Sequence, residues 1–277
     1  MRNLIEICQP STIEETLSLL ARPTPRTAIL AGGTELVGQA DPSVEAVVDL
    51  SRLGLDTIRL DGDTLRLGAT ATLQDIATNE QTRKFVHLAR AAHAATSSLL
   101  RRQATIGGTI VTEQAPEVLA LLLAVGAEVV VHAPEALTLK LADLYRRPPE
   151  GAWLLTEVVV PQRPRLGVSV HCVRRTPGDA PLVAVASALA VGSDAPTYVG
   201  TGLAGVGLHP QTLAAAEAVL AGQALSNRLI EAAVEAAVGE APTLADHRAS
   251  AEYRAHVTGV LLRRSLAESW RAALDPS

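Results

Sequence analysis

Thr27-Ala28-Ile29-Leu30-Ala31-Gly32-Gly33-Thr34-Glu35-Leu36 is the stretch from which the fold is read. Thr27 to Leu30 has the apolar, β-branched texture of a buried strand, and it stops on a glycine pair, so the pair lies on a strand-end turn. Glycines lack a Cβ and let backbone N–H groups converge on an anion at close range, and the Thr34 hydroxyl adds a donor. A diphosphate fits such a turn. A plain tight turn has the same sequence, and spacing alone does not separate the two. The Gly32-Gly33 pair is not the GxGxxG fingerprint and no GxxxxGK[ST] loop occurs, so dinucleotide binding of the usual doubly wound kind is not indicated.

Upstream, Ser11 and Glu14 have capping-box spacing, and Ile13, Leu17 and Leu20 recur at helical spacing, which predicts a helix from about Thr12 to Ala21. Downstream, Ala46 to Leu50 reads as a second strand, and Asp61-Gly62-Asp63 breaks the segment from Thr57 to Gly68 into a hairpin. Helical patterning resumes at Thr72. A second glycine pair follows in Ala104-Thr105-Ile106-Gly107-Gly108-Thr109, read as another loop, and then come the apolar run Val118 to Val125 and a strand from Glu128 to Val131. Arg101 and Arg102 beside the second pair are either phosphate ligands or a solvated helix end.

From Pro161 the texture changes. Pro161-Gln162-Arg163-Pro164 reads as a linker, followed by strands at Val168 to Val173, Leu182 to Val191 and Tyr198 to Val206. Ile230, Ala233, Val234, Ala237 and Val238 then share one helical face, and Tyr253, Val257, Val260 and Leu261 another. Strands first and helices after predict an α+β layer.

Composition narrows the functional classes. The 277 residues are 48% hydrophobic, enough for one large core or two modest ones, but only 2% aromatic, so stacking platforms for nucleic-acid bases are scarce. A net charge of -5 offers no basic field for phosphate backbones. Cys8 and Cys172 are too few for an iron–sulfur cluster and suit a reducing cytoplasm. The Met1-Arg2-Asn3-Leu4-Ile5-Glu6 end lacks a signal-peptide core, and no stretch approaches the ~20 apolar residues of a transmembrane helix. His87, His93, His132, His171, His209, His247 and His256 show no metal-ligand spacing. His171 and Cys172 are neighbours on a strand and point to opposite faces, so they read as a partly buried imidazole and a packed thiol rather than a base and nucleophile. No residue is nominated as catalytic.

The order and surroundings of the two glycine pairs resemble the FAD-binding (medium) subunit of the molybdenum hydroxylases, as in aerobic carbon monoxide dehydrogenase and the flavin domain of xanthine dehydrogenase. Ala31 to Leu36 is similar to the family's first FAD loop, Leu67-Gly68-Ala69-Thr70-Ala71-Thr72 to its hairpin exit, and Thr105 to Gly108 to its second loop. Leu154 to Pro161 resembles the strand closing the flavin domain, and Arg248 to Arg254 the opening of the last helix. The resemblance implies an α+β chain: a vanillyl-alcohol-oxidase-like FAD-binding domain over 1–162, with subdomains of roughly 1–55 and 56–162, then a smaller α+β C-terminal domain over 163–277 of the carbon monoxide dehydrogenase flavoprotein type. FAD is expected between the subdomains, its diphosphate held by Ala31, Gly32, Gly33, Thr34, Glu35 and Leu36 and by Thr105, Ile106, Gly107, Gly108 and Thr109, with Leu155 also at the site. Thr109 stands where the family usually has Asn or Asp, Glu117 is the substitute for an Asp at the ribityl chain, and His171 falls at the aromatic or lysine position near the flavin ring. The implied role is electron relay between the iron–sulfur clusters of a small subunit and an acceptor such as NAD or a quinone, with substrate chemistry on a molybdopterin large subunit. The rivals are a structural or assembly subunit that no longer holds FAD and a flavoenzyme acting alone.

Overall fold

The computed structural model describes residues 3–176, 178–192, 195–241 and 243–275, so Met1 and Arg2, part of the leader reading, and the last two residues of the expected C-terminal range lie outside it. The chain begins with β1 (Glu6–Cys8), α1 (Ile13–Leu20), β2 (Thr27–Leu30), α2 (Leu36–Gln39) and β3 (Ala46–Asp49). These strands form a parallel sheet in the order β1-β3-β2, with Ile29 opposite Val48. The cap of α1 falls one residue later than the Ser11–Glu14 spacing suggests. Thr12 is the N-cap, accepting from the Glu15 N–H at 3.1 Å, and the Glu15 carboxylate reaches back to the Ser11 N–H at 2.9 Å. Leu17 of α1 buries against Val48, Leu50 and Leu154.

Next come β4 (Ile58–Asp61) and β5 (Thr64–Gly68), joined through Gly62 at φ +59° as the hairpin reading expects. Helices α3 (Leu73–Thr78), α4 (Val86–Ala94), α5 (Ser98–Arg101), α6 (Ile106–Val111) and α7 (Pro116–Ala124) follow, then β6 (Glu128–His132), β7 (Ala136–Lys140), α8 (Leu141–Arg146) and β8 (Leu154–Pro161). Thr72 and Asp75 cap α3 reciprocally. The second sheet is antiparallel, in the order β4-β5-β8-β6-β7. The apolar run Val118 to Val125 turns out to be the body of α7, in which every residue from Pro116 to Ala124 is buried. A helix apolar on all sides must be covered on all sides. Its fully buried leucines, Leu119, Leu121 and Leu122, contribute roughly 1.5–3 kcal/mol each.

The cover is the third sheet, β9 (Leu166–Val173), β10 (Val183–Val191) and β11 (Pro196–Ala204), antiparallel in the order β11-β10-β9. One face lies on α7 so closely that a Cβ on Gly202 would sit 1.9 Å from the Ala120 carbonyl oxygen, and one on Gly200 2.0 Å from that of Ala124. The other face packs under α9 (Ala214–Leu220), α10 (Asn227–Glu240) and α11 (Ala251–Leu274). The Pro161–Pro164 segment is pinned at both sides. The Gln162 N–H donates to the Asp63 carbonyl, and the Arg163 guanidinium donates to Val125 O at 2.7 Å while lying 3.7 Å over the Tyr198 ring. Among the described residues no helix is long and apolar enough to cross a membrane.

Candidate functional site

A cavity of about 680 Å³ opens where the first sheet, the helices after β5 and the turn between β9 and β10 meet. That volume lies within the range of sites for medium-sized organic ligands. Thr27 and Ile29, alternate residues of β2, form one wall with Ala31 just beyond it, and the chain then lines the cavity continuously to Leu36. Gly33 needs its missing Cβ because its φ is +72°. Gly32 needs it because the Gln103 carbonyl oxygen would lie 1.7 Å from a Cβ. The two glycine segments are thus in backbone contact. Among the described residues no N–H from Gly32 to Leu36 donates to a protein acceptor, and the Thr34 hydroxyl has no protein partner. A run of free N–H groups at a strand end, beside a cavity, has donors to offer an anion.

The second glycine pair is different, and the loop expectation is corrected. Thr105 caps α6, its Oγ1 accepting from the Gly108 N–H at 3.1 Å, so Ile106 to Thr109 is the first turn of a helix. Its N–H groups are already occupied: Ile106 donates to Ala71 O, Gly107 to Ala69 O and Thr109 to Thr105 O. These bonds explain the hairpin exit Leu67 to Thr72, which is the strip against which the turn is hydrogen-bonded. What the segment offers the cavity is a surface without Cβ atoms at Gly107 and Gly108, and the Thr109 hydroxyl, which has no protein partner among the described residues. Ile106 is fully buried and faces the core.

Leu155 lines the cavity together with Leu154, although consecutive strand residues normally face opposite ways. A bulge follows them in the strand: Val130 pairs with Glu157 and Val131 with Leu155, leaving Thr156 as the extra residue. The two keep opposite faces, Leu154 in the core of the first subdomain and Leu155 in that of the second, and the cavity reaches both.

Two expected ring-side residues lie elsewhere. His171 does not line the cavity. Its Nε2 is 2.9 Å from Glu268 Oε2, on the face of β9 covered by α11, while Cys172 faces the main core. Burial pushes the Glu268 carboxyl up, but hydrogen bonds from Ser169 and His171 outweigh it and hold the group below its ordinary value. Glu117 is also outside the lining. It is 2% exposed on the first turn of α7 and ion-paired with Arg174, whose guanidinium also donates to the Ala94 carbonyl at 3.1 Å. Burial raises the Glu117 carboxyl despite Arg174, and among the described residues Glu117 Oε2 has no hydrogen-bond partner. Arg101 is neither a phosphate ligand nor solvated. It is buried and donates to Gln74 Oε1 and the His93 carbonyl, closing the end of α4, while Arg102 is exposed.

Sequence reasoning passed over the strip from Thr112 to Ala115, where Gln114 and Ala115 line the cavity and Glu113 and Ala115 have φ of +56° and +54°. Non-glycine residues at positive φ are costly and gather where the surroundings fix them. The available signal was Pro116, which opens a helix at its first position and bars the preceding residue from the right-handed helical region.

Comparison with known proteins adds independent information. Residues 3–163 match the family described as the FAD binding domain in molybdopterin dehydrogenase, and residues 169–269 match the CO dehydrogenase flavoprotein C-terminal domain. The nicotine 6-hydroxylase medium subunit of Paenarthrobacter nicotinovorans is 30% identical over 279 residues, covering 96% of this chain and 97% of the relative. The carbon monoxide dehydrogenase medium chain of Hydrogenophaga pseudoflava is 25% identical over 275 residues, covering 94% and 95%. A solved structure of carbon monoxide dehydrogenase from Hydrogenophaga pseudoflava superposes with a TM-score of 0.89 at 25% identity, covering 97% of this chain and 98% of that one.

Proposed function

From the premise that this chain belongs to the FAD-binding medium-subunit family of the molybdenum hydroxylases, we propose that it relays electrons through FAD within an oxidoreductase complex. The observation that carries the reading is the run from Gly32 to Leu36: unpaired N–H groups at a strand end, lining a cavity of about 680 Å³. Bound FAD supplies exchange of electrons singly or in pairs. The chain's own residues bind and orient it. Gly32 to Leu36 and the Thr34 hydroxyl receive the diphosphate, Gly107 and Gly108 line the cavity opposite, and Thr109 offers a hydroxyl in place of a carboxylate or amide. Leu154 and Leu155 supply apolar wall. Glu117, behind the wall, fixes Arg174 and through it the position of β9.

The proposed partners are a small iron–sulfur subunit and a large molybdopterin subunit, in keeping with relatives named as medium subunits. The test is direct: the purified chain shows flavin absorbance, or acquires it at one FAD per chain when FAD is added. A chain that neither carries nor takes up FAD refutes the reading.

A further inference from the structure

The cavity wall consists mainly of glycine, alanine, threonine and aliphatic side chains, and among the described residues that line it Trp153 alone is aromatic. Tryptophan occurs twice in the chain, and the other, Trp270, packs against the core under α11, away from the cavity. Trp153 immediately precedes β8. Its neighbour Leu154 enters the core of the first subdomain, and its own indole rests on the core of the second. The indole therefore stands at the seam between the two, half-buried, and its N–H finds no protein acceptor among the described residues yet is not enclosed. The free N–H groups of Gly32 to Leu36 recognise phosphate oxygens, which pyrophosphate and every nucleoside diphosphate share, and the aliphatic wall offers a flat ring no partner of its own kind.

We propose that Trp153 is the platform on which a flat heterocycle of FAD stacks, and that it makes the cavity select a ring-bearing diphosphate over a bare one. The proposal rests on the reading that the cavity holds FAD. Adenine and isoalloxazine share the required chemistry, and ADP and FMN each carry one of them.

The test uses the full chain freed of flavin. Trp153→Leu is expected to weaken FAD binding about 5- to 150-fold, the range of stacking on a single aromatic side chain. Trp153→Phe restores most of that affinity, and competition by pyrophosphate stays unchanged in both, which a variant with a collapsed site does not allow. In a Trp270→Phe background the emission of Trp153 reports contact. ADP shifts it if adenine stacks, whereas the emission of bound FMN is quenched and recovers in Trp153→Leu if isoalloxazine stacks. If FAD binds equally to the Leu and Phe variants and neither fragment gives its signal, the platform is overturned while the cofactor reading stands. If the wild-type chain takes up no FAD, both fall.

Discussion

At the residue scale, two adjacent glycines are required for different reasons and should fail differently. In Gly32→Ala the new methyl would sit 1.7 Å from the Gln103 carbonyl oxygen, a backbone atom that can move only if the two glycine segments part. In Gly33→Ala the nearest obstacle is the flexible Leu30 Cδ1 at 3.3 Å, and the penalty is chiefly the left-handed backbone at φ +72°, about 1–2 kcal/mol. Gly32→Ala is expected to lose FAD outright and Gly33→Ala to retain part of it, read as the flavin-to-protein absorbance ratio after gel filtration. Equal retention in the two would contradict the contact between segments. The sequence displays both glycine pairs alike, and it could not say which N–H groups are free, because that depends on Ala69 and Ala71, which are remote in sequence from the second pair and occupy its donors. The place of His171 is illegible in the sequence for a related reason. Alternation separates it from Cys172, but only the packing of α11 on β9 decides which of the two faces the core.

Elements were legible where local chemistry fixes them and less so where caps compete. Thr27 to Leu30 is a strand with the expected ends, since a buried apolar run stopping on glycine has few alternatives. The start of α1 slipped by one residue because Ser11 and Thr12 are both good caps, each with a glutamate three residues on, and the fold selected Thr12 with Glu15. Thr105 is a cap whose sequence surroundings are those of a loop, and Thr105→Ala should destabilise α6 by about 1 kcal/mol, measurable by urea unfolding. Because α6 presents Gly107 and Gly108 to the cavity, the same variant should also weaken FAD binding. Ahead of α11, Asp246 accepts from the Arg248 and Ala249 N–H groups and pairs with Arg254 at 2.7 Å. The Arg254 hydrogen bond, with help from these N–H groups, holds its carboxyl well below the usual range. A depressed folded-state value means that the stabilisation is complete above the unfolded value of about 3.9 and is lost as pH falls below it. Asp246→Asn should therefore lower the melting temperature near neutrality and flatten its acid-side fall, so that mutant and wild type converge as the pH drops below about 4.

At the scale of the whole molecule, α7 joins the domains. The sequence shows it as an apolar run without periodicity, which is what a helix covered on every side looks like and why periodicity could not classify it. The third sheet lies on its backbone at Gly200 and Gly202, and at its N-terminal turn the Glu117–Arg174 pair ties it to β9, with side chains only 3% and 17% exposed. Such a pair stabilises little relative to an apolar replacement, but breaking it leaves a carboxylate buried without a counter-ion. Arg174→Met is accordingly expected to cost about 3–5 kcal/mol in chemical denaturation. Adding Glu117→Leu should recover most of that loss, because the stranded charge is then gone. The turn after β9 carries Gly178 and Ala180 into the cavity wall, so displacement of β9 reaches the site directly. FAD affinity should fall in Arg174→Met and return in the double variant in step with stability, which ties the junction of the domains to the site they enclose. A single variant with unchanged stability would mean that Glu117 is neutralised by a group other than Arg174.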